Sequence, residues 1–155
     1  MMNKKGFTLI ELLIVIAILG VLAALISGNF ITSLKKGRDA KRKADLEQTQ
    51  RALEMYYEDK KAYPTTELTF GSALSDSVSG KIYMQKVPND PVSGKNYQYL
   101  SSDGTNYKLF ACLENNQQIL PYESTGYSLT CLNCKNQAGG TVVCIWGVSS
   151  TNISP

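Results

Sequence analysis

The stretch KKGFTLIELLIVIAILG, Lys4 to Gly20, decides how this chain is organised. Its apolar character continues to Ile26, and Glu11 is the one charged residue between Phe7 and Ile26. About 20 apolar residues are enough for a helix to cross the hydrocarbon core of a bilayer. The segment therefore predicts a membrane-spanning helix. A carboxylate has no use in a plain anchor, so we expect another group to neutralise Glu11.

Three kinds of N-terminal segment compete for this stretch. A secretory signal peptide has an apolar core of about 7–15 residues followed by a small-residue cleavage site, but here the core is longer and no clear A-x-A site follows. A permanent anchor fits residues 7–26, which span roughly 30 Å as a helix, but it leaves Glu11 unexplained. The third kind is a prepilin, because KKGFTLIE, Lys4 to Glu11, closely resembles the cleavage site of type IV pilins and type II secretion pseudopilins.

This resemblance implies how the chain is processed and assembled. A membrane-embedded peptidase would remove a leader of residues 1–6 by cutting between Gly6 and Phe7, and Phe7 would then be N-methylated. The new amine is mostly protonated near neutral pH, with a reference pKa of about 7.7–8.0. In a filament core a lone buried charge costs several kcal/mol, so we expect Glu11 of one copy to pair with the Phe7 amine of the next. The alternative is a tolerated interfacial glutamate on a plain anchor.

The apolar segment continues into an amphipathic one. Leu46, Leu53, Tyr56 and Tyr57 recur at helical spacing after Lys35, with Ala52 and Met55 beside them. Proline is absent before Pro64. We therefore predict one helix from about Thr8 to Lys60, roughly 80 Å long at 1.5 Å per residue. Its two parts are a transmembrane or filament-core half at residues 7–34 and an amphipathic half at residues 35–62.

Two glycines are the weak points of this helix. Gly20 and Gly28 each cost about 1 kcal/mol relative to alanine in a helix interior. Pilins often carry a helix-breaking proline near the position of Gly28, and this chain departs from that pattern. We expect local stretching between Gly20 and Asn29 in a filament. The alternative, small residues that allow close helix packing, is compatible with it.

The run Lys35–Lys43 is basic and has two interpretations. It could contact anionic lipid heads, or DNA if the filament takes part in uptake. We favour a solvated helix face whose cations are paired with acids of the same helix and of neighbouring subunits. Those acids are Asp39, Asp45, Glu47, Glu54, Glu58 and Asp59.

Residues 63–155 have the sequence pattern of a small β-sheet domain, which we call the head. KIYMQKVP (81–88), NYQYL (96–100) and YKLFACL (107–113) predict strands, and Asp90-Pro91, Ser93-Gly94 and Ser102-Asp103-Gly104 mark turns. We expect residues 96–113 to form an antiparallel hairpin that covers the apolar helix stripe. The later runs GYSLTC (126–131) and TVVCIW (141–146) add strands or form a disulfide-tied extension. The fold class is therefore α+β, a pilin fold.

The start of the head also carries a resemblance. Tyr63-Pro64 and VPNDPVSGKNYQYL (87–100) are similar to type II secretion major pseudopilins and related Gram-positive-type pilins, as far as about Glu114. Secretion pseudopilins of that group usually have a calcium site built from acidic residues near the C-terminus. Here no acidic residue follows Glu123, and calcium needs about six to eight oxygen ligands. We therefore expect no such site, and no other metal or cofactor.

All the cysteines lie in the last third of the chain, at Cys112, Cys131, Cys134 and Cys144. They could form two disulfides, an all-thiolate zinc site or a redox pair. An exported head favours two disulfides. Three pairings exist, and spacing does not choose among them.

Composition argues against catalysis and against a nucleic-acid partner. The chain has no histidine and no phosphate-binding glycine loop, and its formal charge of +3 falls to +1 when Lys4 and Lys5 leave with the leader. A two-carboxylate hydrolase site built from Asp90 and Asp103 is conceivable, but their turn positions explain both residues. We expect a structural protein and no enzyme.

The function predicted first is a pilin of a type IV pilus-like surface filament, with adhesion, motility or secretion as the associated activities. Its partners would be further copies of itself, prepilin peptidase, the inner-membrane assembly machinery and, before assembly, the membrane. The precursor would cross the cytoplasmic membrane once, with its head outside the cytoplasm. One alternative is a type II secretion pseudopilin. Another is a minor tip pilin that binds DNA or a host surface ligand. Exposed tyrosines such as Tyr122 and Tyr127 could stack on such a ligand, although packing against the sheet is the role we favour for them.

Overall fold

A computed structural model describes residues 6–120, 125–136 and 138–150, except for the side chains of residues 27–29 and 136. The chain divides into two compact units, residues 1–35 and residues 36–155. One helix, α1 (Leu9–Lys60), contributes its first half to the first unit and its second half to the other. This confirms the α+β class and the predicted helix, which begins one residue later than expected.

The first unit consists of the apolar half of α1. The segment Leu9–Ile26 is long and apolar enough to cross a membrane, and none of it is buried within the chain. Apart from Glu11, its side chains are apolar or small all round, so this surface needs lipid or protein to cover it. Gly20 lies within the helix, and no atom stands within 4 Å of the place where a Cβ would be added.

The second unit begins with the amphipathic half of α1. Leu46 and Leu53 are completely buried and Ala52 is 3% exposed, whereas Met55 on the opposite face is 52% exposed. The predicted apolar stripe is therefore confirmed, except that Met55, which was predicted to lie beside it, is on the exposed face. The helix ends at Lys60, and Lys61 adopts a left-handed conformation with φ of 54°, a common way for a helix to terminate.

Eight strands follow in the described residues. They are β1 (Leu74–Ser75), β2 (Ile82–Met84), β3 (Gln98–Leu100), β4 (Lys108–Cys112), β5 (Ile119–Leu120), β6 (Asn133–Asn136), β7 (Thr141–Val143) and β8 (Ile145–Ser149). β1 and β2 form an antiparallel pair, and the main sheet has the order β3-β4-β8. A third sheet with the order β5-β6-β7 contains the parallel pair β5–β6.

The main sheet contains the predicted hairpin. β3 and β4 are antiparallel, with Gln98 opposite Phe110 and Leu100 opposite Lys108. β8 pairs with the other edge of β4 over five residue pairs. The run TVVCIW therefore supplies β7 and the start of β8, whereas GYSLTC forms no strand.

The core lies between the main sheet and the helix stripe. Alternate residues of β3 and β4, including Tyr99, Leu109 and Ala111, join one buried cluster with Leu46 and Leu53. Side chains alternate between the two faces of a strand, so the other residues of these strands point away from α1. The hairpin therefore covers the helix, as predicted.

Candidate functional site

The start of α1 is closed by a reciprocal pair of hydrogen bonds. The backbone nitrogen and hydroxyl of Thr8 donate to Oε2 of Glu11 at 2.8 and 2.7 Å, and the Glu11 nitrogen donates to the Thr8 hydroxyl at 3.3 Å. This is a capping box, in which an N-cap threonine and a glutamate three residues later satisfy free N–H groups. The sequence Thr8-Leu9-Ile10-Glu11 carries the T-x-x-E signal for this capping box, although the box was not predicted.

The predicted cleavage point lies just before this cap. Phe7 is 88% exposed and Gly6 is also exposed, with no atom within 4 Å of an added Cβ at Gly6. The structure thus leaves the Gly6–Phe7 bond open to a protease, while Lys4 and Lys5 lie outside the described residues. Cleavage, N-methylation of Phe7 and pairing of Glu11 with a neighbour's amine stay predictions.

A buried ionic cluster joins the second half of α1 to two loops of the head. Arg42, with no exposed surface, donates from Nη1 to Asp39 at 2.8 Å, from Nε to Asp90 at 2.7 Å and from Nη2 to Glu114 at 2.6 Å. Arg38 adds hydrogen bonds from Nε to both oxygens of Glu114 at 3.1 Å. We call Arg38, Asp39, Arg42, Asp90 and Glu114 the ionic joint.

Asp39 anchors the loop after β4 to the helix. Its two carboxylate oxygens accept hydrogen bonds from the backbone nitrogens of Glu114 and Asn115, each at 2.8 Å. A further bond comes from Nε2 of Gln118 at 3.2 Å. The first turns of this helix half therefore hold the loops that follow β2 and β4.

The structure corrects the prediction of a solvated, salt-bridged helix face. Asp39, Arg42 and Asp45 are buried, because loops of the head close over them and supply most of their partners. Lys43 also contacts the head. Its Nζ donates a hydrogen bond to Oε1 of Gln118 at 3.0 Å and lies 4.3 Å from the centre of the Trp146 ring. Lys41 is exposed, as predicted for the whole run.

The turn explanation holds for one of the two aspartates considered for hydrolysis. Oδ1 of Asp103 accepts the backbone nitrogen and hydroxyl of Thr105, as expected in a turn. Asp90 accepts the Val92 nitrogen in the same way, but it is buried and also binds Arg42. The turn therefore explains Asp90 only in part, because its carboxylate also balances a buried cation.

Proton affinities follow from this arrangement. The hydrogen bond from Arg38 lowers the pKa of Glu114 to about 2. Partial burial of Glu114 opposes this effect, and a hydrogen bond from Arg42 adds to it. Burial works against the charged form of Arg42, but its carboxylate partners outweigh burial and raise its pKa. Burial raises the pKa of Asp45, and the hydroxyl of Tyr97, which donates to Asp45 at 2.8 Å, only partly offsets this. Glu114 and Arg42 are therefore charged at neutral pH.

The four cysteines form two disulfides, Cys112–Cys131 and Cys134–Cys144. The prediction of disulfides is confirmed, and the zinc alternative is wrong because every cysteine is already bonded to another. Within the described part of the chain, no group of three histidine, cysteine, aspartate or glutamate side chains could hold a metal.

Tyr127, one of the two candidate ligand-stacking tyrosines, is partly buried and packs against the main sheet. Its ring lies edge-on to Phe110 with centroids 5.9 Å apart. This favours the sheet-packing role over ligand stacking. Tyr122 lies outside the described residues.

Comparison with known proteins adds to this geometry. Residues 1–27 match the prokaryotic N-terminal methylation motif, and residues 29–119 match the family described as type II secretion system (T2SS), protein G. No solved structure gives a significant match.

Several similar curated proteins carry the name type II secretion system core protein G. The Vibrio cholerae protein is 32% identical over 108 residues, which cover 65% of this chain and 73% of that protein. The Klebsiella pneumoniae protein is 38% identical over 110 residues, covering 65% and 77%. The Pseudomonas aeruginosa protein is 36% identical over 108 residues, covering 64% and 75%. With more than half of its length matched and a prepilin-type N-terminus in register before it, this chain belongs to the type II secretion system protein G family.

Proposed function

We propose that this chain is a pseudopilin, a structural subunit that polymerises into the short filament of a type II secretion system. The observation that carries the proposal is the match of residues 29–119 to protein G, directly preceded by the methylation motif at residues 1–27. The comparisons thus support the secretion alternative better than the type IV surface pilus that we predicted first. The role is non-catalytic.

The proposed route begins with a membrane-anchored precursor. Leu9–Ile26 holds the chain in the cytoplasmic membrane with the head outside the cytoplasm, and prepilin peptidase cuts between Gly6 and Phe7. N-methylation of Phe7 follows. The apolar half of α1 then leaves the lipid and packs against the same segment of further copies, which replaces one apolar environment with another.

Glu11 would have two tasks in this route. In the single chain its Oε2 serves the cap at Thr8, whereas Oε1 accepts no hydrogen bond within the described residues. An ionised carboxylate has about four acceptor sites. Glu11 can therefore keep the cap and accept the Phe7 ammonium of a neighbouring copy through Oε1, so that neither charge is buried alone in the polymer.

A surface pilus remains the second candidate, and one observation favours it. Residues 120–155 lie beyond the protein G match and contain Cys131, Cys134 and Cys144, which take part in both disulfides. A covalently tied extension suits a filament exposed to shear and proteases. Binding of DNA or a host ligand has no comparable support.

Complementation tests the two candidates against each other. The full chain is expressed in a bacterium that has prepilin peptidase and a type II secretion system but lacks its own protein G. Restored secretion, with a mature protein whose first residue is N-methylated Phe7, is the expected result. Abundant surface filaments without restored secretion would overturn the secretion role and support the pilus, and an N-terminus other than Phe7 would overturn the processing route.

A further inference from the structure

A segment near the C-terminus crosses the outer face of the main sheet. Residues 125–131, which we call the strap, contain no strand. Because Leu109 and Ala111 of β4 point into the core beside α1, the alternate residues Lys108, Phe110 and Cys112 point to the outer face. Each of these three residues contacts the strap.

The contacts run in order along the strap. Nζ of Lys108 donates to the backbone oxygen and hydroxyl of Thr125 at 3.4 and 3.3 Å, and the rings of Phe110 and Tyr127 pack edge to face. The disulfide to Cys131 then ties the far end of the strap to Cys112.

The neighbouring strand holds the middle of the strap. The nitrogen of Ser128 donates to Oε1 of Gln98 at 2.8 Å, and Nε2 of Gln98 donates to the Ser128 hydroxyl. Although Phe110 points away from the core, it is completely buried. The strap therefore covers part of this face of the sheet, with Tyr127 lying against Phe110.

The strap is held more weakly than the strands beneath it. Within the described part of the chain, its residues make no backbone-to-backbone hydrogen bond, and its side-chain hydrogen bonds are exposed. Segments with few backbone hydrogen bonds and few apolar contacts open at low free energy. The disulfide Cys112–Cys131 is the covalent tie that keeps this segment in place.

The two disulfides differ in access. Cys134 and Cys144 are 2% and 0% exposed and lie in an apolar cluster with Leu113 and Leu120. Cys112 and Cys131 are partly exposed. Thiol–disulfide exchange requires a thiolate to reach a sulfur atom of the disulfide, so an external thiol reaches Cys112–Cys131 without opening the core.

We propose that the strap is a redox-gated cover of the main sheet, which a dithiol reductant releases by opening Cys112–Cys131 while Cys134–Cys144 stays closed. A thiolate of the reductant attacks one sulfur, the protein disulfide breaks, and a mixed disulfide forms. The second thiolate of the reductant then displaces the remaining cysteine. Two electrons pass to the protein, Cys112 and Cys131 each end with a proton, and the reductant leaves as a disulfide.

Stepwise reduction of the full chain in detergent micelles tests the proposal. The protein is treated with graded dithiothreitol without denaturant, free thiols are alkylated, and the modified cysteines are mapped by mass spectrometry. Cys112 and Cys131 should be alkylated at least about tenfold faster than Cys134 and Cys144. Hydrogen exchange of residues 125–131 should rise at the same stage, while fluorescence of Trp146, the single tryptophan, stays unchanged because the core remains packed.

Paired variants separate release of the strap from general unfolding. Cys112→Ser/Cys131→Ser should show the fast strap exchange of the reduced protein without any reductant, with Trp146 fluorescence retained. Cys134→Ser/Cys144→Ser is the control, and its strap should stay protected. If that control does not fold, the reduction order of the unmodified chain still decides.

Two results would overturn the proposal. One is alkylation of Cys134 and Cys144 first or at an equal rate. The other is a strap whose exchange is unchanged after Cys112–Cys131 has opened.

Discussion

Arg42 donates two hydrogen bonds to Asp90, from Nε to Oδ2 at 2.7 Å and from Nη2 to Oδ1 at 2.9 Å, across 48 positions of sequence. The side chains are 0% and 1% exposed. A bidentate ion pair of this kind fixes both the distance between the two side chains and their relative orientation. It therefore ties the loop after β2 to one turn of α1 and forms the centre of the ionic joint.

Removing Arg42 should cost much of the stability of the head. Arg42→Met leaves Asp39 and Asp90 buried without their cation, and breaking a buried pair from one side costs about 3–5 kcal/mol. The free energy of unfolding from urea titration of the full chain in micelles measures the effect. Arg51→Met is the matched control on an exposed position of the same helix, where changes of about 0.5 kcal/mol or less are usual. Equal stability of the two variants would show that the joint contributes nothing.

Acid should weaken the joint through Glu114. Its pKa in the folded chain is about 2, below the unfolded value of about 4.3, so its contribution is present above pH 4.3 or so and is lost as the pH falls toward 2. The melting temperatures of the unmodified chain and of Glu114→Gln should therefore differ most near neutral pH and converge in acid.

The melting temperatures of the unmodified chain and of Glu114→Gln must be compared with each other, because other carboxyl groups also change the stability as the pH falls. Asp76, whose pKa is lowered by Lys60 and Ser79, changes stability in the same direction, whereas Asp45, with its raised pKa, changes it in the opposite one. Both residues are present in each protein, so their contributions largely cancel. A difference in melting temperature that stays constant across the pH range would contradict the role given to Glu114.

The cap and the charge of Glu11 can be separated by substitution. Glu11→Gln keeps an acceptor for Thr8, as glutamine does in capping boxes, but cannot pair as an anion with the Phe7 amine. Thr8→Ala keeps the charge and loses a cap side chain, which costs about 1 kcal/mol of helix stability. Both variants should be cleaved after Gly6. In Glu11→Gln, filament yield should fall as far as in Glu11→Ala, which loses both the charge and the acceptor. In Thr8→Ala, filament yield should fall much less.

The reverse order of filament yields would assign the role of Glu11 to the helix cap. Normal filaments from Glu11→Gln subunits would remove the charge-pairing mechanism altogether.

The turn before β4 depends on Gly104. Its φ is +75°, and an added Cβ would stand 3.0 Å from the backbone oxygen of Tyr63, whose nitrogen donates to the Gly104 oxygen at 2.8 Å. Gly104→Ala should therefore destabilise the head by about 1–3 kcal/mol.

Gly37→Ala is the control for this substitution, because Gly37 lies in α1 with open space around it. There alanine should stabilise the chain by up to about 1 kcal/mol. Thermal unfolding of both variants checks the opposite signs, and similar effects at the two positions would contradict this account.

Local patterns predicted much of the fold. The period of Leu46, Leu53 and Tyr57 placed the buried helix face, and the absence of proline before Pro64 placed the end of α1 at Lys60. The predicted hairpin was correct, and a strand lies within each of the ranges 81–88, 96–100 and 107–113, although β2 covers only Ile82–Met84 of the first range. These features depend on neighbours close along the chain, where side-chain periodicity and backbone preference act directly. The cap at Thr8 and Glu11 was equally local and could have been recognised.

Long-range features could not be predicted in this way. The basic run Lys35–Lys43 looked solvated because its composition is charged, and only the return of the loops at Asp90 and Glu114 buries part of it. Likewise β8 and the strap find their places on β4 through pairings with distant residues. No spacing in the sequence encodes these contacts.

By itself, the sequence determined the apolar helix, its single carboxylate at Glu11, the cleavage motif and the supply of cysteines for two disulfides, because each depends on residue types within a few helical turns or on a count. The tertiary structure alone decided that Arg42 is buried, that Cys112 pairs with Cys131, and that the strap covers Phe110. The physical reason is that burial of a charge, a cystine or a ring is a property of the space between distant segments, and that space exists only after the chain has folded.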